Sequence, residues 1–186
     1  MAKRTSKPKG SPSAAPRKGA KEGPVPVQDQ PKKKIVIDGV KIKPLKINVD
    51  ERGMLAELVR CDDAGFTKFG QVYFTTAYPG VVKGWHYHKK QVDNFSCVRG
   101  VIKLVLYDDR PGSPTRGVVN EFFLGIRTMI CVQVPVLVWH GFKCTSGEEA
   151  IVINVPNEPY HAAAPDEYRA AWNDPAIPYD WDRKNG

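Results

Sequence analysis

Two histidines lie two residues apart near the middle of the chain, in the segment Gly84-Trp85-His86-Tyr87-His88. The chain has four histidines, and a third, His140, follows the apolar segment 135–139. Successive side chains of a β-strand point to opposite faces, so His86 and His88 share a face if this segment is extended. Imidazole titrates near neutral pH and binds transition metals, so the pair predicts acid–base chemistry or a metal site. The alternative is two polar residues on a solvated strand.

The pattern Gly84-x-His86-x-His88, four residues, Asp93, six residues, Gly100 resembles the first cupin motif, in which Asp93 stands where cupins usually have Glu. This resemblance adds a carboxylate to the potential metal set. Asp93 lies five residues after His88, so side-chain alternation alone would place it on the other face, and we expect a turn or bulge at residues 89–91 that restores the register. Three imidazoles and one carboxylate suit a divalent transition metal with open coordination positions. We therefore predict a metal site formed by His86, His88, Asp93 and His140. A polar cavity without metal, in which His140 hydrogen-bonds to the backbone, is the alternative.

The elements that must position these residues are β-strands. Apolar residues recur with a period of two from residue 35 onward, and turn residues separate the short segments. Residues 35–42 predict a hairpin with Asp38-Gly39 as its turn, and residues 165–172 are the best candidate for a helix. The other predicted strands cover residues 55–59, 71–78, 81–88, 95–98, 101–107, 118–124, 129–134 and 149–155. This pattern is typical of an all-β sandwich or jelly-roll barrel, whose closure would bring the separated histidines to one cavity.

The charge of the chain divides it into two parts. The 186 residues carry a formal net charge of +8, and residues 1–34 account for all of it, with ten basic and two acidic residues. This segment is rich in Pro, Gly, Ala and Lys and has almost no large apolar residue. We therefore predict a disordered basic tail followed by one domain over residues 35–186. Such a tail contacts nucleic acid only non-specifically, and we favour a solubilising role because no aromatic residues interleave with the lysines.

Composition also excludes several classes of protein. The sequence has no run of about 18 apolar residues that could span a membrane, and no apolar signal segment at the N-terminus. The four cysteines are scattered without Cys-x-x-Cys spacing. That usage is typical of buried thiols in a reducing cytosol rather than of a disulfide framework. We therefore expect a cytoplasmic protein.

Several motifs, in order along residues 45–181, resemble those of the dTDP-4-dehydrorhamnose 3,5-epimerase family. They are Asp50-Glu51-Arg52-Gly53 with Glu57, Lys83-Gly84-Trp85-His86-Tyr87, Val98-Arg99-Gly100, Asp109-Arg110 with Ser113-Pro114-Thr115, Val134-Pro135 through His140-Gly141-Phe142, and Trp172-Asn173-Asp174-Pro175-Ala176-Ile177 with Asp180-Trp181. The His-x-His segment is also similar to the first motif of cupins. The resemblance implies a homodimeric cupin barrel that epimerises nucleotide-linked 4-keto-6-deoxy sugars for polysaccharide biosynthesis and needs no cofactor.

The resemblance also assigns roles to residues. Epimerisation beside a ketone removes a C–H proton, stabilises the enolate, and returns a proton to the opposite face. The resemblance implies that His86 is the base and that His140 lies in the substrate pocket. Four further residues fall where the family binds the nucleotide diphosphate of its substrate: Arg52, Glu57, Gln71 and Lys83.

The chain departs from the family pattern at several positions, including His88, where the family has glutamine, and Lys83, where it usually has arginine. Asp93 stands where the family has a lysine, and residues 151–154 lack the family's tyrosine acid, for which Tyr160 is the nearest candidate. Asp93 and His88 both add potential metal ligands to the site. A bound cation would polarise the ketone as a Lewis acid. Two other functions therefore stay open. They are a metal-dependent cupin of another reaction class and a sugar-binding cupin without catalysis.

Overall fold

Residues 35–185, which the computed structural model describes, form twelve β-strands. In chain order they are β1 (Lys41–Pro44), β2 (Ile47–Asp50), β3 (Gly53–Ala56), β4 (Tyr73–Ala77), β5 (Val82–Tyr87), β6 (Asp93–Arg99), β7 (Val101–Tyr107), β8 (Val119–Gly125), β9 (Ile130–Val134), β10 (Trp139–Cys144), β11 (Ala150–Asn154) and β12 (Tyr168–Arg169). This part of the chain contains no helix long and apolar enough to cross a membrane. The basic tail predicted for residues 1–34 lies outside the described residues.

Two five-stranded sheets make up most of the fold. The first has the strand order β1-β9-β6-β11-β4, and the second has the order β12-β5-β10-β7-β8. Neighbouring strands in both sheets are antiparallel, and β2 pairs only with β3 to form a separate hairpin. Two antiparallel sheets around one core form the jelly roll predicted for the chain, so the predicted fold class is confirmed.

Alternating apolar side chains fill the space between the sheets. Strand β7 supplies Ile102, Leu104 and Leu106 to this core, while Val105 points the other way. On that outer face Val105 packs with Trp85, Ile177 and Trp181. The indole N–H groups of Trp85 and Trp181 both donate to the carbonyl oxygen of Trp172, at 3.1 and 3.0 Å. The C-terminal tryptophan motif therefore covers the outer face of the second sheet.

The hairpin predicted for residues 35–42 is wrong. Asp38 and Gly39 do form a turn, in which the Val40 N–H donates to the Ile37 carbonyl oxygen at 3.1 Å, and Gly39 has a φ of +83°. Residues 35–37 are not a strand, because the Ile37 N–H donates to Asn120 Oδ1 at 2.9 Å and the Ile37 side chain is buried in the core. Strand β1 pairs with β9 instead.

Three further local predictions miss the structure, and the first is the strand at residues 55–59, because β3 ends at Ala56. Residues 165–172 are not helical, because β12 in this segment completes the edge of the second sheet by pairing with β5. The backbone groups of Ala170 and Trp85 also exchange hydrogen bonds there, at 3.0 and 3.2 Å.

The sequence pattern does not predict strand β10, which carries His140. Its apolar content is interrupted by Gly141 and Lys143, which hides the period of two.

Candidate functional site

Strands β5 and β10 bring the three histidines together. His140 is the register partner of His86, and the centroids of their rings are 4.1 Å apart. His88 lies 5.5 Å from His86 and 5.6 Å from His140, again between ring centroids. The two strands approach closely because glycines face each other, and a Cβ atom on Gly141 would lie 2.8 Å from the Gly84 Cα.

Asp93 reaches the same cluster from the other sheet. It is the first residue of β6, it is 1% exposed, and its carboxylate and the three imidazoles offer ligand atoms that all lie within 4.8 Å of one another. Between β5 and β6 the chain bends at Lys89 and Lys90, within the segment predicted to contain a turn or bulge. There the Asp166 carboxylate accepts the backbone N–H groups of Lys89, Lys90 and Gln91 at 2.7–3.1 Å. The chain thus passes from one sheet to the other, which lets Asp93 face the histidines despite its odd spacing.

Backbone carbonyls determine which nitrogen of each buried histidine carries a hydrogen. His140 Nδ1 lies 2.9 Å from the Val138 carbonyl oxygen, and His88 Nδ1 contacts the Asp166 carbonyl oxygen. A carbonyl oxygen only accepts, so we assign the hydrogen to Nδ1 in both rings. In the neutral rings, Nε2 of each histidine therefore presents a lone pair. These two Nε2 atoms lie 3.1 and 3.2 Å from Asp93 Oδ2.

The second oxygen of Asp93 is already occupied. Oδ1 accepts the side-chain amides of Gln91 and Asn154, each at 2.7 Å. Oδ2 is left facing two imidazole lone pairs, and the buried His140 Nε2 is close to it without making a hydrogen bond. Three electron-rich atoms that meet in a buried space need a proton or a metal cation between them. The electrostatics of the cluster therefore favour a bound cation, either a proton or a metal ion.

Burial and charge divide the roles of the titratable groups. Burial, and then the neighbouring His140, lower the pKa of His86 well below its ordinary value, so this ring is neutral and can accept a proton. Burial acts in the same direction on His88, but the hydrogen bond and charge of Asp93 outweigh it and raise the pKa. Burial would raise the pKa of Asp93, yet the imidazoles of His140 and His88 hold it well below its usual range.

Two cavities meet beside the cluster. The first has a volume of about 480 Å³, and His86, His88, Gln71 and Tyr160 are in its wall. The second, of about 570 Å³, is lined by His86 and Lys83 among others. Tyr73 lines both cavities together with His86. A ligand with two parts, such as a sugar joined to a larger group, would place one part beside His86.

The structure separates the predicted base and the five predicted substrate-binding residues into two groups. His86, His140, Gln71 and Lys83 lie at the cluster or its cavities, and Lys83 Nζ donates to Thr75 Oγ1 at 2.8 Å. Arg52 and Glu57 lie on or beside the β2–β3 hairpin and are not among the residues that line these two cavities. Arg52 pairs with Asp50, and Glu57 pairs with Arg60, both as exposed ion pairs.

Sequence reasoning missed two residues of the site, Tyr73 and Asn154. They are register partners on β4 and β11, and the Asn154 side-chain amide donates to Tyr73 Oη at 2.9 Å. Burial, and then the charge of Asp93, raise the pKa of Tyr73 to about 12. The only available signal was the period of two in residues 71–78, which places Tyr73 and Thr75 on one face without indicating what they face.

Comparison with known proteins gives the family. A family model described as dTDP-4-dehydrorhamnose 3,5-epimerase matches residues 34–185. The chain belongs to this family. It is 38% identical over 147 residues to the probable low-salt glycan biosynthesis epimerase Agl13 of Haloferax volcanii, a match that covers 78% of this chain and 94% of that protein. The family resemblance of the motifs is therefore confirmed.

Two further proteins are similar to this chain over most of its length. The spore coat polysaccharide biosynthesis protein SpsL of Bacillus subtilis is 37% identical over 146 residues, covering 78% of this chain and 97% of that protein. The structure of dTDP-6-deoxy-D-glucose-3,5-epimerase from Legionella pneumophila, in complex with dTDP-4-keto-L-rhamnose, superposes with a TM-score of 0.70 at 30% identity. That match covers 80% of this chain and 81% of the Legionella chain.

Proposed function

We propose that this family member epimerises a nucleotide-linked 4-keto-6-deoxy sugar for glycan or polysaccharide biosynthesis, with His86 as the base. One observation carries the proposal: His86 lies in the wall of both cavities, where burial and the neighbouring His140 lower the pKa of its imidazole. The family membership and the sugar nucleotide bound by the Legionella relative support the substrate class. The cavity walls provide room for a sugar on the His86 side and for a nucleotide diphosphate beyond it.

Proton transfer follows from the state of His86. The neutral ring takes the proton from the carbon beside the ketone, and the electron pair of that C–H bond moves toward the ketone oxygen. The negative charge that develops on this oxygen must be stabilised by a positive group nearby. A cation held by His88, Asp93 and His140, which lie next to His86, would supply that charge.

The nucleotide part of the substrate is assigned to the cavity walls. We propose that Gln71 and Lys83 bind the nucleotide diphosphate, because each lines one of the two cavities beside His86. A lysine neutralises phosphate as a point charge. Lys90 lines the first cavity as well and adds a second positive charge there.

A divalent transition metal is our second proposal for this site. The Nε2 lone pairs of His88 and His140 converge with Asp93 Oδ2, and this donor set of two imidazoles and one carboxylate suits first-row metals. His86 is the fourth residue of the cluster, but it cannot bind a metal and accept a proton through the same nitrogen. We therefore propose that the metal is held by the other three residues and that His86 stays free as the base.

The assembly and the compartment are proposals as well. The prediction that Arg52 and Glu57 bind substrate is retained as a proposal. Both residues lie on or beside the β2–β3 hairpin, which pairs with neither five-stranded sheet. We propose a homodimer that uses this hairpin, because apolar residues on it are exposed. All four cysteines are free thiols, which favours a reducing cytoplasm as the site of the reaction.

Solvent deuterium uptake tests the epimerase proposal. In D2O with dTDP-4-keto-6-deoxyglucose, we expect deuterium at the carbons beside the ketone and an epimerised product, both measured by NMR. The His86→Ala variant should lose about 100-fold or more of the exchange rate, because the base is gone. His161→Ala is the matched control, since His161 lines the same cavity outside the cluster. Tight binding of the sugar nucleotide without exchange would contradict the proposal and leave the sugar-binding alternative.

Metal analysis tests the second proposal independently. Protein produced without a His-tag and dialysed after exposure to Zn²⁺, Mn²⁺ or Fe²⁺ should retain a stoichiometric amount of one of them. The Asp93→Asn and His140→Ala variants should lose it, whereas His86→Ala should keep it. If the folded wild-type protein retains no stoichiometric metal, this proposal is wrong and the positive charge is a proton on His88, while the epimerase proposal stands.

A further inference from the structure

A hydrogen-bonded chain connects the buried cluster to the cavity wall. Asn154 is fully buried, and its side-chain nitrogen donates to Asp93 Oδ1 at 2.7 Å and to Tyr73 Oη at 2.9 Å. An amide nitrogen has two hydrogens, so these two bonds use both of them. Asn154 therefore holds the phenol oxygen of Tyr73 in place at the edge of the cluster.

The direction of the Tyr73 hydroxyl hydrogen follows from this bond. The phenol oxygen is the acceptor from Asn154, so its own hydrogen points elsewhere, and Tyr73 lines both cavities. Burial, followed by the charge of Asp93, raises the pKa of Tyr73 to about 12, which keeps the phenol protonated at neutral pH. Tyr73 is thus held as a proton donor toward the cavities.

His86 and Tyr73 belong to opposite walls of the fold. His86 lies on β5 of the second sheet, and Tyr73 lies on β4 of the first. A sugar ring bound between them would present one face to each residue. Epimerisation needs this arrangement, because the proton must leave from one face and return to the other.

We propose that Tyr73 is the acid that protonates the substrate on the face opposite His86. The proposal rests on the proposed function and assigns its second catalytic residue. After His86 has taken the C–H proton, the O–H bond of Tyr73 breaks, and its proton forms the new C–H bond as the enolate electrons return to carbon. Water in the open cavity then reprotonates the phenolate, and His86 releases its proton to solvent. No oxidant or reductant is required.

Tyr160 is the competing residue and also the matched control. It lines the first cavity, but it is 61% exposed, and its backbone N–H rather than its hydroxyl is held, by Gln71 Oε1 at 3.2 Å. Tyr73 is itself 40% exposed, but Asn154 holds its hydroxyl oxygen, whereas none of the described residues makes a hydrogen bond to the Tyr160 hydroxyl. We therefore expect it to contact the nucleotide part of the ligand instead of transferring the proton.

The experiment compares Tyr73→Phe with Tyr160→Phe in the full-length protein. With dTDP-4-keto-6-deoxyglucose in D2O, NMR follows both deuterium uptake and the appearance of the epimer. Tyr73→Phe should keep deuterium uptake within severalfold of wild type, because His86 is intact, and should form the epimer about 100-fold or more slowly. Tyr160→Phe should form the epimer within about tenfold of the wild-type rate.

Three results would overturn the assignment. They are normal epimer formation by Tyr73→Phe, loss of epimer formation in Tyr160→Phe alone, and an equal loss of uptake and epimer formation in a Tyr73→Phe variant that keeps the wild-type melting temperature. If Tyr73→Phe does not fold, 3-fluorotyrosine at position 73 replaces it, and the alkaline limb of the epimerisation rate should shift to lower pH. Absence of uptake in the wild-type protein would instead refute the proposed function, so the two failures are distinguishable.

Discussion

Among single residues, Asp108 shows how a buried charge organises a loop. It is 0% exposed, and its carboxylate accepts the side chains of Arg110, Ser113 and Thr115 at 2.6–2.9 Å. Asp109, which we placed in the sequence motif, lies instead on the surface and pairs with exposed Arg116. The carboxylate that stabilises the β7–β8 connection is therefore Asp108, the residue before the Asp109-Arg110 motif.

Replacing Asp108 should make the free energy of unfolding less dependent on pH in the acidic range. Burial opposes ionisation, but Arg110 and the two hydroxyls outweigh it and lower the pKa of Asp108. Its stabilising contribution is then complete above the unfolded-state pKa of about 3.9 and is lost as the pH falls toward the folded-state pKa. Urea unfolding should find Asp108→Asn less stable by about 2–3 kcal/mol at pH 7, with a smaller difference at pH 3.

The matched control for this prediction is Asp109→Asn. Its exposed ion pair with Arg116 should contribute no more than about 0.5 kcal/mol at pH 7. A larger loss of stability in Asp109→Asn than in Asp108→Asn would mean that the buried carboxylate does not organise this loop.

At the scale of elements, the contact between β5 and β10 determines the geometry of the site. The two glycines that face each other allow the strands to approach until the rings of His86 and His140 meet. A methyl group on Gly141 would lie 2.8 Å from the Gly84 Cα and 2.9 Å from the Lys83 carbonyl oxygen. Backbone atoms cannot rotate away, so the strands themselves would have to separate.

The Gly141→Ala variant should therefore lose both stability and activity. We expect a cost of about 1–3 kcal/mol in the free energy of unfolding, as for overpacked cores. Epimer formation should fall further than the population of folded protein explains, because His86 moves relative to its neighbours. Gly147→Ala is the control, since no atom lies within 4 Å of its added methyl group. Equal activity of the two folded variants would contradict this account of the strand contact.

For the molecule as a whole, the β2–β3 hairpin is the feature that suggests an assembly of more than one chain. Strands β2 and β3 pair with each other and with neither sheet. Val49 and Met54 are register partners on one face of the hairpin, and both are exposed, Val49 at 73%. Apolar residues grouped on an exposed element mark an interaction surface.

Sedimentation of the full-length protein should therefore give twice the mass of one chain. The Val49→Lys variant should shift the equilibrium toward the monomer, because a charge would be buried in the contact. Ile126→Lys is the control, since Ile126 is an exposed isoleucine in the turn after β8. A wild-type monomer, or equal effects of the two variants, would contradict the proposed dimer.

The local sequence determined most of the strands and the chemical type of the site. The period of two in the sequence predicted seven strands that are present in the structure, β4 to β9 and β11. The pattern is informative because a half-buried strand alternates its buried and exposed side chains. Residue types, together with the resemblance to the first cupin motif, indicated His86, His88, Asp93 and His140, whose ligand atoms the fold brings within 4.8 Å of one another. Residues 165–172 were misread as a helix because the edge of β5, which orders them, is far away in the sequence.

Only the tertiary structure decided which side chains complete the site. Tyr73 and Asn154 are 81 residues apart, and their contact exists because β4 pairs with β11 in one register. Alternation determines which residues of one strand share a face, but the neighbour of that strand depends on how the whole core packs. The histidine cluster could therefore be predicted from the sequence, whereas the tyrosine held opposite His86 could not.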